Sequence, residues 1–312
     1  MKAMRKRGET KPGVKDQGGF TFVELLVIVA VLALLAGTLL PALANSQPNS
    51  RAFQCLNNQR QIMLAWRMYG EDNNDLLPPN DYDDSAFRVP TPDYWRNWVV
   101  TATSTFDRTN QSSLLTNKSS VLSAYVKTTK PYHCPADVYV DPQTRLSHAR
   151  SVSMNSAVGT IWESSKTFGW FSGLPVGSPV QGEQLNGPYL IGGLSPNPWL
   201  TYGKFSSIMR PSPANLFVIM DEAAYTLDDG TIIIVAAASA GKTYLIDFPA
   251  GHHYGAGGIA FADGHAVIHK WQDARTYTSQ LVVAPGQGSP GSLQSPDDPD
   301  CLYLGSITSA LR

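Results

Sequence analysis

Residues 20–43 read FTFVELLVIVAVLALLAGTLLPAL, 24 residues in which Glu24 is the only charge. A helix of that length rises about 36 Å, enough to cross the roughly 30 Å hydrocarbon core of a bilayer. Lys2, Arg5, Lys6, Arg7, Lys11 and Lys15 precede it, against Glu9 and Asp16 alone. That basic flank keeps the N-terminus cytoplasmic and sends everything after residue 45 outward. A secretory signal peptide also starts basic, and Ala42-Leu43-Ala44 imitates its cleavage site, but its apolar core usually runs about 7–15 residues. A plain single-span anchor explains length and orientation. It leaves Glu24 unexplained, because a carboxylate inside a bilayer helix is costly and normally functional.

The stretch Gly18-Gly19-Phe20-Thr21-Phe22-Val23-Glu24-Leu25-Leu26 resembles the prepilin leader of type IV pilins and type II secretion pseudopilins. The resemblance implies cleavage between Gly19 and Phe20 by a prepilin peptidase, and N-methylation of Phe20. Glycine lets a protease approach the backbone closely. Glu24 becomes the fifth mature residue, where the family keeps a glutamate, and Pro41 matches a helix-bending proline of the family. The new amine of Phe20 and the Glu24 carboxylate of a neighbouring subunit are expected to pair as helices stack into a filament, which would fix register.

Composition narrows the remainder. Hydrophobic residues are 43% of the chain, too ordinary for several spans, and charged residues are only 16%, against roughly a quarter in average domains. With 26 Gly and 22 Pro, that mixture describes a loop-rich, β-containing extracytoplasmic domain. Without residues 1–19, 18 basic groups face 23 acidic ones, a net charge of -5, so nucleic acid is not an expected partner.

In residues 50–72, Ala52, Cys55, Leu56, Gln59, Ile62, Met63, Trp66 and Tyr69 recur at three- and four-residue spacing, which predicts a helix with its apolar side on a sheet. Gly70-Glu71-Asp72-Asn73-Asn74-Asp75 ends it, and Pro78-Pro79 forbid continuation. The oxygens of that run suit calcium, but the spacing of a calcium-binding loop is absent, and a helix-terminating loop is the simpler reading. The expected organisation is a leader (1–19), a transmembrane and assembly helix (20–45), its soluble half (46–75) and a β-rich domain (76–312).

Within that domain, Tyr82, Phe87, Tyr94, Trp95 and Trp98 lie among polar linkers, and Tyr132-His133-Cys134-Pro135-Ala136-Asp137 reads as a turn tied to the core. Strands are predicted around 149–162, at 216–220 and at 231–238. Residues 171–200, rich in Gly, Pro, Ser and Asn, are expected to form a long surface excursion. Ala240-Gly241-Lys242-Thr243 lacks the upstream glycine of a phosphate-binding loop, since Ala236 stands there. No serine sits in a nucleophile elbow, so no catalytic residue and no enzyme are predicted.

Three cysteines, Cys55, Cys134 and Cys301, show neither C-x-x-C pairing nor zinc-finger spacing to histidine, so no metal site is read from them. In an oxidising compartment one disulfide with one thiol left over is natural, and Cys55–Cys134 is the candidate pair. Three separately buried thiols remain the alternative.

His253 is followed by nine residues and then Asp263-Gly264. This spacing is similar to a C-terminal signature that accompanies prepilin-type leaders. Cys55-Leu56-Asn57-Asn58, Cys134-Pro135, Arg150-Ser151-Val152-Ser153-Met154-Asn155 and Phe261-Ala262-Asp263-Gly264-His265-Ala266 extend the resemblance over most of the chain. Read from the residues, 258–271 is a hairpin with a two-residue Asp263-Gly264 turn. It would put Ile259, Phe261, Ala266 and Ile268 on the core face, and Ala260, Ala262, His265, Val267 and His269 on the other. His253, or its neighbour His252, is close enough in sequence to reach back to Asp263 as a His/Asp site. In the plainer alternative Asp263 shapes the turn and His253 binds a backbone carbonyl.

The expected fold is α+β and pilin-like: a long N-terminal transmembrane helix packing on an antiparallel β-sheet domain with long loops. The expected function is a pseudopilin or minor pilin, single-pass in a bacterial inner membrane with its C-terminal domain periplasmic or on an extracellular filament. It would assemble with other pilin-like subunits for secretion or adhesion. The alternative is a membrane-tethered binding module for a glycan or peptide.

Overall fold

The structure is a computed structural model. It describes residues 21–80, 97–99, 108–116, 120–161, 177–180, 185, 198–227, 230–236, 243–278, 293–294 and 298–312. The chain divides into two compact units, Met1–Gln47 and Pro48–Arg312.

Helix α1 (Phe22–Asp72) begins in the first unit. Its start is a reciprocal cap: the Glu24 carboxylate accepts from the Thr21 N–H and hydroxyl, both at 2.8 Å, while the Glu24 N–H donates to Thr21 Oγ1 at 3.2 Å. Thr-x-x-Glu thereby satisfies orphan donors of the first turn. Beyond it, Phe22, Val23, Leu25, Leu26, Val29, Leu32 and Leu35 are all more than half exposed. An all-round apolar surface is what lipid, or other helices, would cover. Among the described residues no helix is long and apolar enough to cross a membrane. Side chains of the expected span are described only to Leu35, about 21 Å of helix, and those of 36–45 lie outside the described residues.

In the second unit, α1 follows the expected periodicity. Cys55, Gln59, Ile62, Met63 and Trp66 are buried, with Leu56 and Tyr69 partly so. The helix ends as the Gly70 carbonyl accepts from the Asn73 and Asp75 N–H groups, with Asn74 and Asp75 at φ of 55° and 71°, the left-handed conformation common at helix ends. The acidic run is occupied by the protein: Asp72 accepts from the Tyr125 hydroxyl at 2.8 Å, and Asp75 from the Ser206 N–H and hydroxyl.

Strands β1 (Val152–Asn155), β2 (Phe217–Asp221), β3 (Thr231–Ile232), β6 (Ala256–Phe261) and β7 (Ala266–Lys270) form a sheet in the order β3-β1-β2-β6-β7. Only β1 and β3 run parallel. A second sheet orders β4 (Ile234–Ala236), β5 (Thr243–Leu245) and β8 (Leu293–Gln294) antiparallel. The single strand expected at 231–238 is therefore split between sheets at Ile233. Its N–H leaves the ladder for the Asp247 carboxylate at 2.7 Å.

The larger sheet is buried on both faces. Val152, Met154, Val218, Ile219 and Ala260 join the α1 core, whereas Phe217, Met220, Ile259 and Phe261 join a second core. A bulge between Phe217 and Ile219 puts Val218 and Ile219 in the same core. The second core is closed by helices α2 (Arg275–Thr278) and α3 (Pro299–Thr308), through residues such as Tyr277, Cys301 and Leu304. Asp298 caps α3 by accepting from the Asp300 and Cys301 N–H groups, with Pro299 in the first turn.

The hairpin forms where expected, but one residue out of the expected register. Ala260 pairs with Ala266 and Ile259 with Val267. Gly264 alone takes a positive φ, 95°, while Asp263 does not. The turn is thus a longer loop with a left-handed glycine rather than a two-residue turn needing two positive angles. A one-residue slip exchanges the faces. Val267 faces with Ile259, and Ala266 with Ala260.

Candidate functional site

Asp221 ends β2 on the face towards α1, and no part of it is exposed. A bare carboxylate there would be prohibitive, so its oxygens are surrounded by donors. Oδ2 accepts from the Gly258 N–H at 2.8 Å, Oδ1 accepts from Gln59 Nε2 at 3.1 Å, and Cys55 Sγ lies 3.2 Å from Oδ2. Gly258 is glycine for a local reason. A Cβ there would stand 2.4 Å from Gln59 Nε2 and 3.0 Å from Asp221 Oδ2.

Two further groups complete the cluster. His253 precedes β6 in a tight turn, its N–H donating to the Ala256 carbonyl at 3.0 Å, with Tyr254 and Gly255 at φ of 57° and 73°. The turn places His253 Nε2 3.9 Å from Asp221 Oδ2 and 3.3 Å from Cys134 Sγ. Cys134 is held by its N–H, which donates to Ser151 Oγ at 2.7 Å. Cys55, Cys134, Asp221 and His253 are all buried, and one side-chain donor atom from each lies within 4.8 Å of the others. The hydrogen bond with Cys134, burial and the Asp221 charge all push the Cys55 thiol far up. Burial lowers the His253 pKa and His252 adds to this, although Asp221 opposes. At neutral pH the site therefore holds protonated Cys55 and a neutral imidazole.

A second, more exposed layer comes from the adjacent residues. His133 Nε2 and His252 Nε2 lie 3.5 and 4.0 Å from the same oxygen of Asp137. Segments 133–137 and 252–253 thus serve both layers.

Cys55 and Cys134 are brought together as expected for a pair, but as free thiols, each facing a polar partner from the sheet side. Cys301 is buried and free in α3. His253 and Asp263 are not brought together. The carboxylate beside His253 is Asp221, and the six residues of β6, roughly 20 Å of strand, run between His253 and the turn. Asp263 bonds instead to His265, accepting from its N–H at 3.0 Å and lying 2.6 Å from its Nδ1. The His265 ring stacks on Phe261. Gly264 has open space around it. His265 is therefore a turn residue, and His269 stacks on Tyr303 at 4.3 Å. Trp98 is fully buried and donates to the Gly230 carbonyl, whereas Tyr82, Phe87, Tyr94 and Trp95 lie outside the described residues. So do Gly19, Phe20 and most of 171–200.

Sequence reasoning missed Asp221 and Gly258 as site residues. Asp221 closes a buried strand, and a Gly-Gly pair interrupts the next; neither signal gains meaning until the strands are paired.

Two family models match the chain. Residues 14–40 match the prokaryotic N-terminal methylation motif, and residues 47–177 match a protein of unknown function (DUF1559). No curated protein and no solved structure matches it. With that leader ahead of that domain, the chain is a type IV pilin-like protein. Its mixed α+β fold is dominated by antiparallel pairing.

Proposed function

We propose that this protein is a pseudopilin or minor pilin. Prepilin peptidase cuts after Gly19 and methylates Phe20, and an inner-membrane helix then holds the second unit outside the cytoplasm. Mature subunits assemble through α1 into a periplasmic or surface filament serving secretion or adhesion. The observation that carries this reading is the methylation-motif match at 14–40, joined to a helix whose described start is apolar on every side except at Glu24.

Glu24 has two separable roles in this reading. It caps its own helix, and after cleavage its charge is available to the amine of a neighbouring Phe20. Glu24→Gln keeps a side chain able to complete the cap and removes the charge; Glu24→Ala removes both. Filament yield from native membranes should fall at least tenfold in both variants. Assembly intact in Glu24→Gln but lost in Glu24→Ala would make the cap the operative feature and overturn the charge-pairing role. Intact mass and N-terminal sequencing of the wild-type chain should give N-methyl-phenylalanine at Phe20. A start near Asn45 would describe an ordinary secreted protein instead.

A further inference from the structure

The geometry points to a closed, structural site for a zinc-class divalent cation, held by Cys55 Sγ, Cys134 Sγ, Asp221 Oδ2 and His253 Nε2. Zinc bonds to such ligands measure about 2.0–2.3 Å, so neighbouring ligand atoms of a tetrahedron stand roughly 3.3–3.8 Å apart. Here Cys55–Asp221 is 3.2 Å, Cys134–His253 is 3.3 Å and His253–Asp221 is 3.9 Å. These three edges lie within about half an ångström of those of a tetrahedron. Four protein ligands leave no open position, which is the pattern of a structural rather than a catalytic site.

Ligand chemistry selects the metal. Two sulfurs and an imidazole disfavour magnesium and calcium, and the set suits zinc. The support around the ligands is also in place, since Gly258 and Gln59 orient Asp221 and Ser151 anchors Cys134. Loading forms two metal–sulfur bonds and sends both thiol protons to solvent; no electrons move. The charges then sum to −1, beside the Gly258 N–H and the Gln59 amide.

A disulfide competes for the same sulfurs. It would use Cys55 and Cys134 but gives no reason for a buried carboxylate and imidazole to converge on them. A cation uses all four groups. It would join α1, the 133–137 turn, β2 and the turn before β6, with ligands from Cys55 to His253, up to 198 residues apart in sequence. The inference is independent of filament assembly, since every ligand lies in the second unit.

The test uses the full-length chain, purified in detergent without chelator or histidine tag, with metal measured by mass spectrometry. About one zinc per chain is expected, falling at least fivefold in Cys134→Ser and in His253→Ala. Cys301→Ser, which alters a thiol outside the cluster, should keep its zinc. In case the ligand variants do not fold, cobalt(II) exchange into the wild-type chain gives a second reading. Thiolate-to-cobalt charge-transfer absorption is expected, and its absence overturns the site. A wild-type chain lighter by two hydrogens, cross-linked between Cys55 and Cys134 and free of zinc, would establish the disulfide and overturn it too. Reduced thiols that take up no added zinc would do the same.

Discussion

The two ends of β6 carry the two halves of one sequence signature, and they are built for different purposes. At the His253 end the clustered Cys55, Cys134, Asp221 and His253 are buried and answer to other elements: Asp221 to Gly258 and Gln59, Cys134 to His253. At the Asp263 end the partners are local and exposed, a turn carboxylate and the imidazole two residues on. Equal spacing in sequence therefore says nothing about equal role. The buried end depends on long-range packing, while the turn is a matter of backbone geometry.

That contrast can be broken by substitution. Asp221→Ala leaves the Gly258 N–H and the Gln59 amide without their acceptor. At ~1–3 kcal/mol for each buried unsatisfied group, unfolding of chelator-treated protein in urea should show a loss of about 3 kcal/mol. A loss below about 1 kcal/mol would show that water replaces the carboxylate and that the buried end is less closed than described.

Two glycines on the same hairpin sharpen the comparison. Gly258→Ala drives a Cβ into Gln59 and Asp221, an overpacking cost of about 2 kcal/mol. Gly264→Ala meets nothing and costs only the positive φ, about 1 kcal/mol. Equal losses in the two variants, by the same urea measurement, would remove the distinction between packing and backbone geometry.

pH separates the packed hairpin base from the turn. Burial lowers the His269 pKa below its ordinary 6.5, with Asp300 opposing. The unfolded chain then binds the proton first, so this contribution is present above pH 6.5 and is lost as pH falls below it. His269→Gln should flatten the stability profile between about pH 7 and 5. For Asp263, burial would raise the pKa, but the His265 N–H and imidazole lower it below the ordinary 3.8 overall. Its contribution is present above pH 3.8 and disappears only as pH falls through the lowered value. An identical acid slope in wild type and His269→Gln would contradict the assignment.

The smallest effect belongs to Asp263→Ala. Side chains about 40% exposed exchange their mutual bond for water, at a cost of about 0.5 kcal/mol. A loss above 2 kcal/mol would mean that the turn carboxylate has a partner beyond His265.

Much of this architecture was legible beforehand. Cys55, Gln59, Ile62, Met63 and Trp66 announce a one-sided helix, and Asp263-Gly264 announces a turn. The hairpin's faces were not legible, because register depends on whether one or two residues take positive φ. The cluster was illegible for a different reason. Its contacts join residues from 32 to 166 positions apart, and no local period reports which strand ends meet which helix. Two local signals were present and went unread: Thr21-x-x-Glu24 as a capping box, and Asp298-Pro299 as the start of α3.

Helix α3 also sets an order on events. Asn155, in β1, donates from its side-chain amide to the carbonyls of Phe217 and of Thr308 in α3, and Leu304 and Ile307 belong to the same buried core as Phe217, Met220 and Phe261. The ribosome makes the central strands long before it makes residues 299–308. Until those residues arrive, one apolar side of the sheet lacks part of its lid, an exposed surface of the kind that aggregates. A copy that ended before residue 299 would keep that part of the core uncovered.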